Sequence, residues 1–97
     1  MRPIFISGIG TGIGKTIIAA IITEALKADY WKPVQAGYEE GTDSGLVTSL
    51  ISNAVTIIQP ETYLLKLAAS PHISAQRENR RIELKKIADD FHLMDRN

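Results

Sequence analysis

The chain has 97 residues, eleven basic and eleven acidic side chains, no formal net charge and no cysteine. That length makes one small domain at most. The charge balance argues against a nucleic-acid-binding arm or a basic membrane surface, and the lack of thiols excludes a disulfide framework and a thiolate metal site.

From the first residues, Met1-Arg2-Pro3-Ile4, the chain enters an apolar run and leaves no room for a signal peptide. The apolar stretch from Ile17 to Ile22 is too short to span a bilayer. These features suit a cytoplasmic protein. Pro3 to Ser7 reads as a buried parallel strand, apolar without alternation. Gly8-Ile9-Gly10-Thr11-Gly12-Ile13-Gly14-Lys15-Thr16 follows, and then a helix expected over Lys15 to Ala28. A glycine-rich loop between strand and helix can curl so that backbone N–H groups converge on a phosphate, at a helix end whose dipole favours an anion. Lys15 would reach the β- and γ-phosphates, and the Thr16 hydroxyl would be a ligand of Mg²⁺. The loop is one residue longer than the common pattern, because that pattern's first glycine falls on Ile9 and the glycine stands at position 8. The expected helix is apolar nearly all round, at Ile17, Ile18, Ala19, Ala20, Ile21, Ile22, Ala25 and Leu26, so it reads as mostly covered by neighbours, with its isoleucines as core packing.

Asp29 to Gln35 reads as a second strand, closing a right-handed βαβ unit with the first strand and helix. Lys32 then falls at the carboxyl end of that strand, where ligands of open α/β sheets sit; it is a phosphate- or substrate-facing group or a solvated surface lysine. Asp43 is an N-cap for a short helix over Ser44 to Ile51, or a Mg²⁺ carboxylate, the cap being the commoner role. Val55 to Ile58 reads as a short strand, and Pro71 as the first turn of a further helix. His72 beside it is a polar site residue or, more commonly, a hydrogen-bonded structural histidine. A last helix is expected over Glu83 to His92, with Leu84, Ile87, Ala88 and Phe91 on one face. Tyr30 and Trp31 read as packing residues, and Asp89, Asp90 and Asp95 as a solvated tail.

The fold class is thus α/β: a P-loop NTPase-like parallel sheet with flanking helices. Two or three strands cannot cover so many apolar faces, so the domain over residues 1–97 reads as partial, completed by more chain or another subunit.

Four segments together resemble dethiobiotin synthase: Ile6-Ser7-Gly8 through Gly14-Lys15-Thr16, Trp31-Lys32-Pro33-Val34-Gln35-Ala36-Gly37, Thr42-Asp43-Ser44 and Ala69-Ser70-Pro71-His72. The phosphate loop is generic; the Lys-Pro-Val-Gln and Ser-Pro-His segments make the resemblance specific. It implies a homodimeric P-loop α/β enzyme that uses ATP, Mg²⁺ and CO₂ to close a ureido ring on 7,8-diaminononanoate, through a carbamate that ATP phosphorylates. It also implies roles. Gly10, Thr11, Gly12, Ile13, Gly14, Lys15, Thr16 and Asp43 would bind ATP, with Thr16 and Asp43 holding Mg²⁺. Lys15, Lys32 and Thr11 would be catalytic, acting by position and charge on the carbamate and the γ-phosphate.

The chain departs from the family at Gly10 and Gly12, which stand where acidic residues are common, and at Ala36, where a hydroxyl residue is frequent. The resemblance places the family's Glu-Gly-Ala-Gly-Gly segment beyond residue 97, so the 97 residues read as the first half of the enzyme, with little or no catalysis alone. Two other readings stand beside it: the synthase domain of cobyrinic acid amidotransferases, with a similar lengthened loop, and a non-catalytic nucleotide-binding module. A partitioning-type ATPase fits less well, because its loop carries an extra early lysine and this one has none before Lys15.

Overall fold

In the computed structural model, which describes residues 3–7, 14–39, 41–67 and 71–95, two short parallel strands organise the chain. β1 (Val34–Ala36) and β2 (Tyr63–Leu65) pair with Val34 opposite Tyr63 and Ala36 opposite Leu65. Upstream, Tyr30 and Ile58 form a parallel bridge, its residues joined through the Tyr30 N–H to Ile57 O at 3.0 Å and the Gln59 N–H to Tyr30 O at 2.8 Å. The bridge lies four residues before Val34 on one segment and five before Tyr63 on the other. The extra residue is absorbed at Pro33, whose carbonyl accepts the N–H groups of both Thr62 and Tyr63 at 2.9 Å. Pro33 has no N–H to give the ladder, so pairing breaks there as at a bulge. The strand expected over residues 29–35 is therefore shorter and later.

α1 (Gly14–Leu26) packs against α2 (Asp43–Leu50), and α3 (Pro71–Arg77) packs on both strands. α4 is Leu84–Asp95. The core joins Tyr63, Leu65 and Ala75, with Val34, Ile82 and Ile87 against them. Tyr63 serves two purposes: its ring is buried, and its hydroxyl accepts the Glu83 N–H at 3.0 Å ahead of α4. Trp31 and Phe91 meet with ring centroids 6.2 Å apart, and the Trp31 indole N–H donates to Pro60 O at 3.2 Å, which agrees with a packing role. The Thr62 hydroxyl donates to Asp90 Oδ2 at 2.7 Å and holds α4 to the β2 entry. Asp90 is thus half-buried and bonded, not part of a solvated tail, while Asp89 pairs with Lys85 in the exposed manner expected.

Three expectations change. Pro3 to Ser7 forms no strand: the segment is exposed, Phe5 to 89%, and among the described residues it pairs with no other segment. An apolar run becomes a strand only where a neighbour accepts its ladder bonds, so the parallel crossover here is β1–α2–β2. Second, three of the four isoleucines of α1 are exposed, and Ile22 is only half-buried. The buried residues of α1 are Thr16, Ala19, Ala20 and Thr23, one face at helical spacing, whereas Ile17, Ile18, Ile21 and Leu26 are exposed. Small side chains on the inner face let α2 approach closely. Third, Val55 to Ile58 keeps only the bridge at Ile58, because Asn53 Oδ1 accepts the N–H groups of Val55 and Thr56 at 2.9 and 2.7 Å and curls the chain. On α4, Ile87 and Phe91 are half-buried as expected, but Leu84 is 81% exposed and Ala88 is exposed.

Glu24 ties α1 to the exit of α2. Its carboxylate accepts from the Ser52 hydroxyl, from the Ser52 and Asn53 backbone N–H groups at 3.2 and 3.3 Å, and from Asn53 Nδ2 at 2.6 Å. The side-chain bonds from Ser52 and Asn53 hold its pKa down, from 4.5 to about 2. A depressed carboxylate pKa contributes stability that is present above the unfolded-state value and lost as pH falls through the folded value. Glu24→Gln should therefore lower the melting temperature at neutral pH, and the gap between parent and variant should close between about pH 4.5 and pH 2 in thermal melts monitored by circular dichroism. Leu65, fully buried between β1 and α3, gives a second test. Leu65→Ala should cost about 2–5 kcal/mol in urea unfolding.

Candidate functional site

Gly14, Lys15 and Thr16 make the first turn of α1. Lys15 is half-buried and Thr16 is buried. The first N–H groups of a helix lack intrahelical partners and carry the positive end of its dipole, so this turn presents an anion-attracting end. The remaining loop positions read from the sequence, Gly10, Thr11, Gly12 and Ile13, lie outside the described residues.

The second part of the site is built at the end of β1. Gln35 is a buried amide in a strand of apolar neighbours. Its Nε2 donates to Gly37 O at 2.9 Å, and its Oε1 accepts the Asp43 N–H at 3.2 Å. Between them the chain turns through Gly37 and Gly41, at φ 87° and 97°, backbone conformations that glycine adopts without strain. α2 starts at Asp43, and its N-cap is Thr42, in extended conformation, whose hydroxyl accepts the Gly45 N–H at 2.9 Å. The expectation that Asp43 caps this helix is corrected: Thr42 takes the extended cap conformation, and Asp43 becomes the first helical residue. Its charge still favours the helix N-terminus.

Asp43 Oδ2 accepts from Lys32 Nζ in a salt bridge. Both side chains are about a third exposed, so the pair is neither sealed nor fully solvated. Lys32 itself is corrected in position. It precedes β1 by two residues instead of ending it, because the ladder starts only beyond Pro33. Tyr30 sits near this pair. Burial first, and then the charges of Asp43 and Glu61, push its phenol up to about 12.

The structure thus brings together Lys32 and Asp43, read separately from the sequence, and puts Gly14-Lys15-Thr16 at the head of the helix that packs on Asp43's helix. His72 is exposed and makes no described hydrogen bond, so the reading of a hydrogen-bonded structural histidine does not hold. Gln35 was missed as a positioning residue. Its signal was a lone polar side chain in Val34-Gln35-Ala36, which must bond internally if the strand is buried. Thr42 was missed because two cap-forming residues stand side by side. Ser44 Oγ, next to Asp43, is buried without a hydrogen-bond partner among the described residues. No helix among the described residues is long and apolar enough to cross a membrane.

The parallel strands, the flanking helices and the helix-opening Gly-Lys-Thr define a P-loop α/β protein. A family profile described as an AAA domain matches residues 2–96, and the chain belongs to that family. Within it the similarity is to proteins named ATP-dependent dethiobiotin synthetase. The one from Cytophaga hutchinsonii is 52% identical over 87 residues, 90% of this chain and 42% of the relative. The Agrobacterium fabrum protein is 57% identical over 74 residues, 76% of this chain and 35% of the relative. That of Christiangramia forsetii is 46% identical over 86 residues, 89% of this chain and 42% of the relative. The chain spans well under half the length of these curated relatives and corresponds to an N-terminal portion of them. No solved structure matches significantly.

A double-mutant cycle on Lys32→Met and Asp43→Asn should return a coupling of about 0.2–1 kcal/mol in urea unfolding, the size expected of a pair screened by solvent. A coupling near zero would mean that the two side chains do not associate in solution.

Proposed function

We propose that the chain is the nucleotide-holding N-terminal portion of an ATP-dependent dethiobiotin synthetase, a ligase of biotin biosynthesis. The observation that carries this reading is the 52% identity over 87 residues to a relative of that name, which runs through every segment of the site described above. The substrates would be ATP, CO₂ and 7,8-diaminononanoate, the assembly a homodimer and the location the cytoplasm. Residues 1–97 would be one partial P-loop domain.

Roles follow from placement and charge. Lys15 would neutralise the β- and γ-phosphates at the α1 N-terminus, and the loop amides of Gly10, Thr11, Gly12, Ile13 and Gly14 would surround them. Thr11 would share the loop's contacts with the reacting groups. Lys32, paired with Asp43 before the nucleotide binds, would hold negative charge on the carbamate and γ-phosphate. Thr16 and Asp43 fit Mg²⁺ in kind: a hydroxyl and a carboxylate are hard oxygen donors, and Asp43 has a second oxygen beyond the one that accepts from Lys32. Bound Mg–ATP would supply the activating phosphoryl group.

A second reading, nucleotide binding without turnover, is favoured by one observation: the relatives carry more than half of their length outside the matched portion. Groups that act as a unit lose activity together when part is missing. Calorimetric titration with Mg–ATP should show binding by the parent chain, and Lys15→Ala should weaken it by about tenfold or more, the size of one charge-assisted hydrogen bond. Absence of nucleotide binding would sink the reading. Dethiobiotin formation from the diamine, CO₂ and ATP should be weak or absent with this chain alone; robust turnover would refute the incomplete site and leave the assignment standing.

A further inference from the structure

We propose that the hollow between the end of α3 and the Asn79–Ile82 segment binds a small organic anion through a carboxylate or phosphate group. The hollow measures about 590 Å³, and its walls include His72, Gln76, Asn79, Arg80, Arg81 and the buried Ala75. Among the described residues its polar lining is thus amides, an imidazole and two guanidiniums, with no carboxylate. The one acid between residues 71 and 82, Glu78, is engaged elsewhere: its Oε2 accepts the Lys66 N–H at 2.5 Å.

Arg80 is already oriented. Its backbone N–H donates to Ala75 O at 2.8 Å, its guanidinium lies 5.5 Å from the centre of the Tyr63 ring, and Nη1 donates to Leu64 O at 3.3 Å. A guanidinium has five N–H donors, so most of Arg80's remain for a ligand. Neither Arg80 nor Arg81 takes part in the salt bridges among the described residues, Lys32–Asp43 and Lys85–Asp89. Near the end of α3 the carbonyls of Ser74, Ala75 and Gln76 accept the N–H groups of residues 78–80, so these three do not compete for the arginines. Two guanidiniums outside those salt bridges in one concavity, one held in place by an aromatic face, match the paired oxygens of a carboxylate or phosphate. The hollow contains none of Lys15, Thr16, Lys32 or Asp43 and stands apart from the nucleotide reading.

The test is a ¹H–¹⁵N NMR titration of the full chain at constant ionic strength, with inorganic phosphate in one arm and glutarate in the other. Backbone signals of residues 76–82 should shift saturably in at least one arm, and which arm saturates identifies the anion. Arg81→Ala should weaken that binding about tenfold, the size of a hydrogen bond between charged groups, and Arg81→Lys should fall between parent and alanine variant. Arg81 makes no described hydrogen bond, so the variant's spectrum should keep the parent's dispersion. Phosphate shifts at residues 14–16 report the helix-opening turn and count for neither outcome at this hollow, which is judged on residues 76–82. Absent or non-saturating shifts there, or parent-like affinity in Arg81→Ala, overturn the proposal.

Discussion

The side-chain amide of Gln35 fixes the site, because it ties the end of β1 to the start of α2. Gln35 is the buried residue of β1, holds the Gly37 carbonyl beyond that strand, and receives the first amide of α2. A buried amide left unbonded would cost a few kcal/mol on the scale of mutational data, so the conformation that satisfies it is strongly preferred. That conformation sets where α2 begins. Thr42 then takes the Gly45 amide, and two of the otherwise orphaned N–H groups at this helix end have partners. Gly45 permits the close approach, since a Cβ there would stand 3.2 Å from the Thr42 hydroxyl. Asp43 is positioned against Lys32 as a consequence, by the strand end and not by its own charge.

What could be read from the sequence divides along the same physical line. Features determined by a few neighbouring residues were legible. The helix expected over Lys15 to Ala28 is present as α1 (Gly14–Leu26), and Pro71 lies in a helix, α3 (Pro71–Arg77). Features that depend on a distant partner were not. An apolar pentad at residues 3–7 has strand composition, yet composition supplies no neighbour to accept its hydrogen bonds. The break at Pro33 was open to view, because proline has no donor for a ladder; what the sequence did not contain was the extra residue on the opposing segment that makes the break necessary. Thr42 and Asp43 can both cap a helix, and the choice rests on which of them adopts the extended backbone, φ −118° and ψ 161° at Thr42. Lys32 and Asp43 were each legible as candidates, but their pairing across the turn is a product of the Gln35 contacts.

The two faces of α1 show the same separation of pattern from partner. A helix apolar all round implies cover on more than one side. The side met by α2 carries alanine and threonine, which bury little surface each but let the helices come close. The bulky side, with Ile17, Ile18 and Ile21 at 40, 53 and 61% exposure, holds the larger hydrophobic gain and has not realised it. Full burial of such a side chain contributes roughly 1.5–3 kcal/mol, so these three residues leave several kcal/mol unused. The stability present in the described residues therefore comes from the Tyr63, Leu65 and Ala75 core and from polar ties such as Glu24, more than from the most hydrophobic helix.

Partial exposure of the Lys32–Asp43 pair has a chemical consequence under the proposed function. A sealed ion pair resists separation, since each charge would be left unpaired in a low-dielectric interior. At about a third exposure the two charges interact weakly enough to exchange partners. A polyanionic nucleotide offers Lys32 a stronger partner than a single carboxylate, and the cation that accompanies the nucleotide offers the same to Asp43. The pair can then open without leaving an unsatisfied charge on either side. Before binding, it keeps a lysine from repelling the positive end of a helix and an aspartate from drifting to solvent. Gln35 preserves the geometry throughout, because its bonds are to backbone groups that the exchange does not disturb.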